Sequence, residues 1–243
     1  MRINPLFKEG LELISKPGFR RIYGLCIIAL GVSFFLILPS EGPGSAAASI
    51  GPPPIFINMA TAAAIAALLA VVASVSLLSG RSAEASQWFH HTGFVDYAAG
   101  KTAINLIISI LYGALLLPFL ILAAHFEALP FIGAFAASAY LFGVFISYAF
   151  LMEVLRLALP SFPLIRRIII WAIFCFHLLL TSGIAPGFNP VARLSALNLS
   201  MESSNSDGLI LSSLKSGLFP LLVLLPVFLV LSYFLAGRRP KDG

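Results

Sequence analysis

Gly100, Lys101 and Thr102 are the three letters that close a phosphate-binding P-loop, and the chemistry they would serve is nucleotide hydrolysis. Such a loop needs an earlier glycine, so that successive backbone N–H groups curl around the phosphates, and it must join a strand to a helix. Val95 holds the place of that glycine, and the nearest earlier one, Gly93, leaves six intervening residues where the motif allows four. A long apolar run follows Lys101. Spacing and context both exclude a P-loop.

Other residues capable of chemistry are few. His177 sits in an apolar run with Thr181 one turn on, and an ionisable group at bilayer depth is a functional candidate. Neither a Gly-x-Ser-Gly nucleophile nor a His-Glu-x-x-His zinc motif accompanies it, so a neutral histidine bonded to a neighbouring helix is the favoured reading. His90 and His91 are adjacent, with no carboxylate or cysteine cluster beside them, and read as solvated loop residues rather than metal ligands. Cys26 and Cys175 both lie in apolar runs and pack there as small hydrophobes. Glu153 and Arg156 stand three apart, the spacing of an ion pair on one helix face. No catalytic residue and no metal site follow from these patterns.

The elements that must carry these residues are set by composition. The chain has 243 residues, 59% hydrophobic and 10% charged, with a mean hydropathy of +0.99. About a quarter of the residues of a soluble domain are charged, so this is a polytopic membrane protein with an all-α fold. A bilayer core about 30 Å thick asks for about 20 apolar residues per helix. Six runs qualify: Ile22 to Leu38, Ile55 to Leu78, Thr102 to Ala124, Phe131 to Met152, Ile168 to Ile184 and Gly217 to Ala236. They make one six-helix domain over 22–236, with a cytoplasmic loop at 80–101, an outer loop at 185–216 and a basic tail at 237–243. In helix two, Ala60, Ala63, Ala64, Ala67 and Ala70 form small-residue ladders, as do Gly133 with Ala137 and Ala139 with Gly143 in helix four. They permit close packing within the subunit or against a second copy. Pro118, Pro220 and Pro226 are set to kink their helices.

Charge gives orientation. With the N-terminus in the cytoplasm, 13 of the 15 Lys and Arg fall in inner segments, leaving Arg193 and Lys215 outside. Both termini are therefore expected to be cytoplasmic. The net charge of +5 reflects this asymmetry and the anionic lipid it faces, and gives no reason to invoke nucleic acid. The leader, 1–21, reads "NPLFKEGLELISKPGFRR" from Asn4. Asn4 caps, Pro5 suits the first turn, and Pro17 and Gly18 stop the helix. Leu6, Phe7, Leu11 and Ile14 share one face opposite Lys8, Glu9, Glu12 and Lys16, the pattern of an amphipathic helix on the membrane surface. In the outer loop, Val191, Leu194 and Leu197 are spaced as one face of a short helix, read as a re-entrant or interfacial element.

Three stretches in this layout resemble one family. "HTGFVDYAAGK" (91–101) is similar to the end of the loop that enters the third helix in permeases of the ABC-2 type of ATP-binding-cassette transporters. The leader resembles that family's interface helix. "TSGIAPGFNPVARLS" (181–195), with Gly183, Asn189 and Pro190, resembles its Ser-Gly to Asn-Pro stretch between the last two helices. The sequence departs from the pattern at Gly93, where many relatives have proline, and in a short second-to-third loop.

The resemblance implies a permease subunit that couples ATP hydrolysis by a separate cytosolic ATPase to outward movement of a substrate across a bacterial or archaeal inner membrane. It implies a second permease subunit, identical or not, surrounding lipid, no cofactor on this chain, and ATP with Mg on the partner ATPase. Trp88, Phe89, Phe94 and Tyr97 would be aromatic anchors for that ATPase, with Glu84, Asp96 and Lys101 as the polar rim. The alternatives are an accessory scaffold that transmits ATPase motion without moving a solute and, more distantly, an intramembrane enzyme using His177.

Overall fold

In hydrocarbon, a backbone can pair its N–H and C=O groups within a single segment only as a helix. The computed structural model describes residues 12, 14–37, 55–77, 93–159, 162–179, 190–201 and 206–237, and nearly all of these are helical. The helices are α1 (Pro17–Ile37), α2 (Ile55–Leu77), α3 (Phe94–Phe126), α4 (Phe131–Ala158), α5 (Pro163–Leu179), α6 (Pro190–Met201) and α7 (Ser206–Gly237). Five of them, α1 to α4 and α7, are long and apolar enough to cross a membrane. The remaining expected span, Ile168 to Ile184, coincides with α5 as far as Leu179, and its end lies outside the described residues.

Helix ends differ from the hydropathy reading in a consistent direction. α3 begins at Phe94, eight residues before Thr102, so 94–101 are its first turns and belong to no loop. α7 begins at Ser206, so the last part of the expected outer loop, 206–216, is helix. In both places polar residues depress average hydropathy without interrupting backbone pairing. Pro17 proves to be the first residue of α1, with a bend at Lys16 before it. α3 and α7 continue through Pro118, Pro220 and Pro226.

α4 is the central helix, packed against α7, α3, α2, α6 and α5. Its partner α3 runs antiparallel to it, joined by a tight turn. Ala128 takes a left-handed φ of 54° there, and Leu129 N–H donates to the Ala124 carbonyl at 2.9 Å while Ala128 N–H donates to that of His125 at 3.1 Å. These are the paired bonds of a Schellman cap, which ends α3 and lets Pro130 start α4. Glu127, at the same turn, accepts hydrogen bonds from the backbone N–H groups of Ile55 and Phe56. A carboxylate thus covers the partly positive start of α2 and ties three helices at this end.

The small-residue ladder of α2 is used inside the subunit: Ala60, Ala63, Ala67 and Ala70 are buried in the core with Phe56, Met59 and Val71. Gly143 on α4 lies against Leu218 and Leu221 of α7, and Gly217 of α7 against Tyr140, so α4 and α7 approach closely and run parallel. α6 is the short helix expected from its periodicity. Leu194 and Leu197 are buried, and it packs on α7, α2 and α4. α1 and α7 each leave a broad apolar face uncovered by protein, including Ile28, Val32, Phe35 and Leu36 on α1 and Phe219, Leu222, Val227 and Leu231 on α7. In a membrane protein these are the faces lipid covers.

Candidate functional site

Two of the three buried charged residues of the described core, Lys101 and Glu153, meet where the first turns of α3 approach the last turns of α4; the third, Arg166, lies on α5. Gly93 stands in extended backbone before α3, and Asp96, exposed in the first turn, complements the helix start. Lys101 follows on the buried face, one turn after Tyr97. From α4, Glu153 and Arg156 project to the same place. Lys101 Nζ donates to Glu153 Oε1 at 2.8 Å. Arg156 grips the same carboxylate in bidentate fashion, through Nη2 to Oε1 at 2.6 Å and Nε to Oε2 at 2.9 Å.

Glu153 is only 3% exposed and Lys101 9%. Taking a carboxylate out of water costs several kcal/mol, and only close pairing with further hydrogen bonds compensates for it. Two cations on one carboxylate supply that compensation. Among the described residues there is no group of three or more side chains that could hold a metal ion. What the cluster can do is mechanical. It fastens the start of α3 to the end of α4 with a strong, directional bond in a largely buried place.

An aromatic contact adds the third helix. The rings of Phe94 and Tyr97 lie 5.1 and 5.6 Å from that of Tyr233 on α7, both edge-on. The starts and ends of α3, α4 and α7 are therefore joined as one block.

Of the residues expected to meet an ATPase, some are exposed and others buried. Phe94 is 40% exposed while touching Tyr233, and Asp96 is exposed. Tyr97 and Lys101 are buried, because they lie on the helix face that turns toward α7 and α4. Glu84, Trp88 and Phe89 lie outside the described residues, as do Leu6, Phe7 and Leu11 of the leader and Gly183 and Asn189 of the outer stretch. Ile14 is half-buried against the core, and Pro190 opens α6. His177 lies in α5, its side chain outside the described set.

Sequence reasoning missed how far the polar character of α3 continues. Tyr97, Lys101, Asn105, Ser109 and Tyr112 are all buried and recur every four, four, four and three residues, so they share one face. At its far end Tyr112 shares a 2.8 Å hydrogen bond with Ser74 of α2. A recess between α2, α4 and α5 is by contrast lined by apolar and aromatic residues, Leu68, Leu69, Val72, Tyr148, Ile170 and Trp171. Set against known proteins, the chain matches no family model, no curated protein and no solved structure.

Proposed function

We propose that this chain is the membrane-spanning permease subunit of an ABC-type transporter, moving with a cytosolic ATPase that it does not itself contain. The observation that carries this reading is the continuity of α3. Its first turns, directly after the segment 80–92, are helix rather than loop, and are locked to α4 by Glu153 and to α7 by Tyr233. A push on the segment before Phe94 is then delivered to three membrane helices at once. A flexible hinge at the same place would absorb it.

Six spans, cytoplasmic termini and a bacterial or archaeal inner membrane complete the proposal, supported by the distribution of Lys and Arg. Phe94 and Asp96 remain as surface contacts, joined by Glu84, Trp88 and Phe89 from the preceding segment. Two such subunits would enclose the substrate path.

The test is purification of the tagged chain from its own membrane in mild detergent. A stoichiometric soluble ATPase should accompany it, and Phe94→Ala together with Trp88→Ala should reduce that ATPase severalfold while the chain stays monodisperse. Recovery without any ATPase would end the proposal. Transport by the reconstituted complex in vesicles then separates a permease from a scaffold.

A further inference from the structure

The polar face of α3 has more donors than protein partners. Asn105 is 3% exposed and Ser109 fully buried, yet Asn105 Nδ2 and Ser109 Oγ find no hydrogen-bond partner among the described residues. Buried groups of this kind are rare in proteins because each one forfeits its hydration. Surrounding hydrocarbon offers nothing in exchange.

Two polar contacts with α4 bound this stretch of α3. Lys101 meets Glu153 at one end, and at the other Ser138 donates to the carbonyl of Gly113 at 3.2 Å. The two ends of the seam differ. Lys101 and Arg156 keep 11% and 12% of their side chains exposed, while Tyr112 and Ser74 are bonded to each other and sealed.

We propose that Asn105 and Ser109 bind internal water, making the α3–α4 core a hydrated pocket that opens beside Lys101 and Arg156 and ends at the Tyr112–Ser74 bond. Consecutive-turn side chains on one helix face sit about 5–6 Å apart at Cβ, a span that one water bridges. Water can accept from the amide and both donate to and accept from the Ser109 hydroxyl. A cation is disfavoured, since the unpartnered Asn105 atom is a donor and the adjacent cluster already carries two cations for one carboxylate. Water also changes partners readily, so the inner half of α3 can shift along α4 without stranding a polar group. This inference does not depend on the transport reading.

The experiment is thiol labelling of the full chain in its membrane, with Cys26 and Cys175 replaced by alanine. Because the thiolate that reacts exists only in contact with water, Asn105→Cys and Ser109→Cys should react with a small water-soluble methanethiosulfonate at least about tenfold faster than Leu116→Cys, beyond the sealed end. Asp96→Cys gives the fully wet rate. Labelling at both seam positions as slow as at Leu116 would overturn the proposal. So would a labelling rate that falls as chloride replaces gluconate at constant ionic strength, which would assign the pocket to an anion. Ser109→Cys is nearly isosteric and keeps the test available if Asn105→Cys does not fold. A second measurement is thermal: Asn105→Leu and Ser109→Ala should leave Tm unchanged or lower. If both raised it, the groups would be dry orphans and the pocket would not exist.

Discussion

Glu153 is the residue on which the bundle's charged end depends, because it answers two cations at once. Glu153→Gln keeps the shape and removes the charge that Lys101 and Arg156 share. Breaking a buried ion group in this way costs about 3–5 kcal/mol. Lys101→Met should cost less, about 1.5–3 kcal/mol for one hydrogen bond to a charged group, since Arg156 still holds Glu153 at both oxygens. Denaturation of the purified variants in detergent, followed by tryptophan fluorescence, reads both losses. An equal loss for the two would mean that the carboxylate is not the shared centre. Half of this site was legible in the sequence: Glu153 and Arg156 declare themselves by a spacing of three. The pairing with Lys101 was not, because it joins two helices and no local pattern encodes which antiparallel register they adopt. The seam from Tyr97 to Tyr112 had a visible signal in its four-residue period. It was hidden by averaging hydropathy over a window that Ile104, Ile108 and their neighbours dominate.

At the scale of elements, the apolar runs foretold which segments become helices, and the polar residues within them misled about where those helices end. Thr102 looked like the start of a membrane helix only because Asp96 and Lys101 precede it, yet one lies in the first turn and the other is paired in the core. Two positions test the packing that results. Ala128 adopts a φ of 54°, a region where a Cβ costs about 1–2 kcal/mol, so Ala128→Gly should relieve roughly 1 kcal/mol and raise the thermal midpoint. Gly143 stands at the closest approach of α4 and α7, where a Cβ would meet Leu218 Cδ2 at 2.8 Å and Leu221 Cδ1 at 3.3 Å. Gly143→Val must displace both leucines and should destabilise by about 1–3 kcal/mol. Gly24 has nothing within 4 Å of its would-be Cβ, and Gly24→Ala should instead gain about 0.5–1 kcal/mol from helix propensity. Opposite signs at Gly143 and Gly24 would separate packing from propensity.

For the whole molecule, orientation in the bilayer is the property that every proposal about coupling needs. Lys101 and Arg156 lie at the joined ends of α3, α4 and α7. Arg193 instead donates to Ser216 at 2.8 Å, near where Gly217 meets Tyr140 in the first half of α4. In the proposed six-span orientation 13 of the 15 cationic residues face the cytoplasm, and turning the bundle over would carry them across the membrane. Against a potential of 100 mV each charge is worth about 2.3 kcal/mol, so the inverted form is strongly disfavoured. With Cys26 and Cys175 replaced by alanine, Ser86→Cys tests the segment before α3 and Ser203→Cys the stretch before α7. A membrane-impermeant maleimide should label Ser203→Cys in intact cells and Ser86→Cys only after permeabilisation. The reverse pattern would set the start of α3 on the outer side, where no cytosolic ATPase could push it. The ion cluster would then be a structural clamp alone, and the block of α3, α4 and α7 would have no motor to answer to.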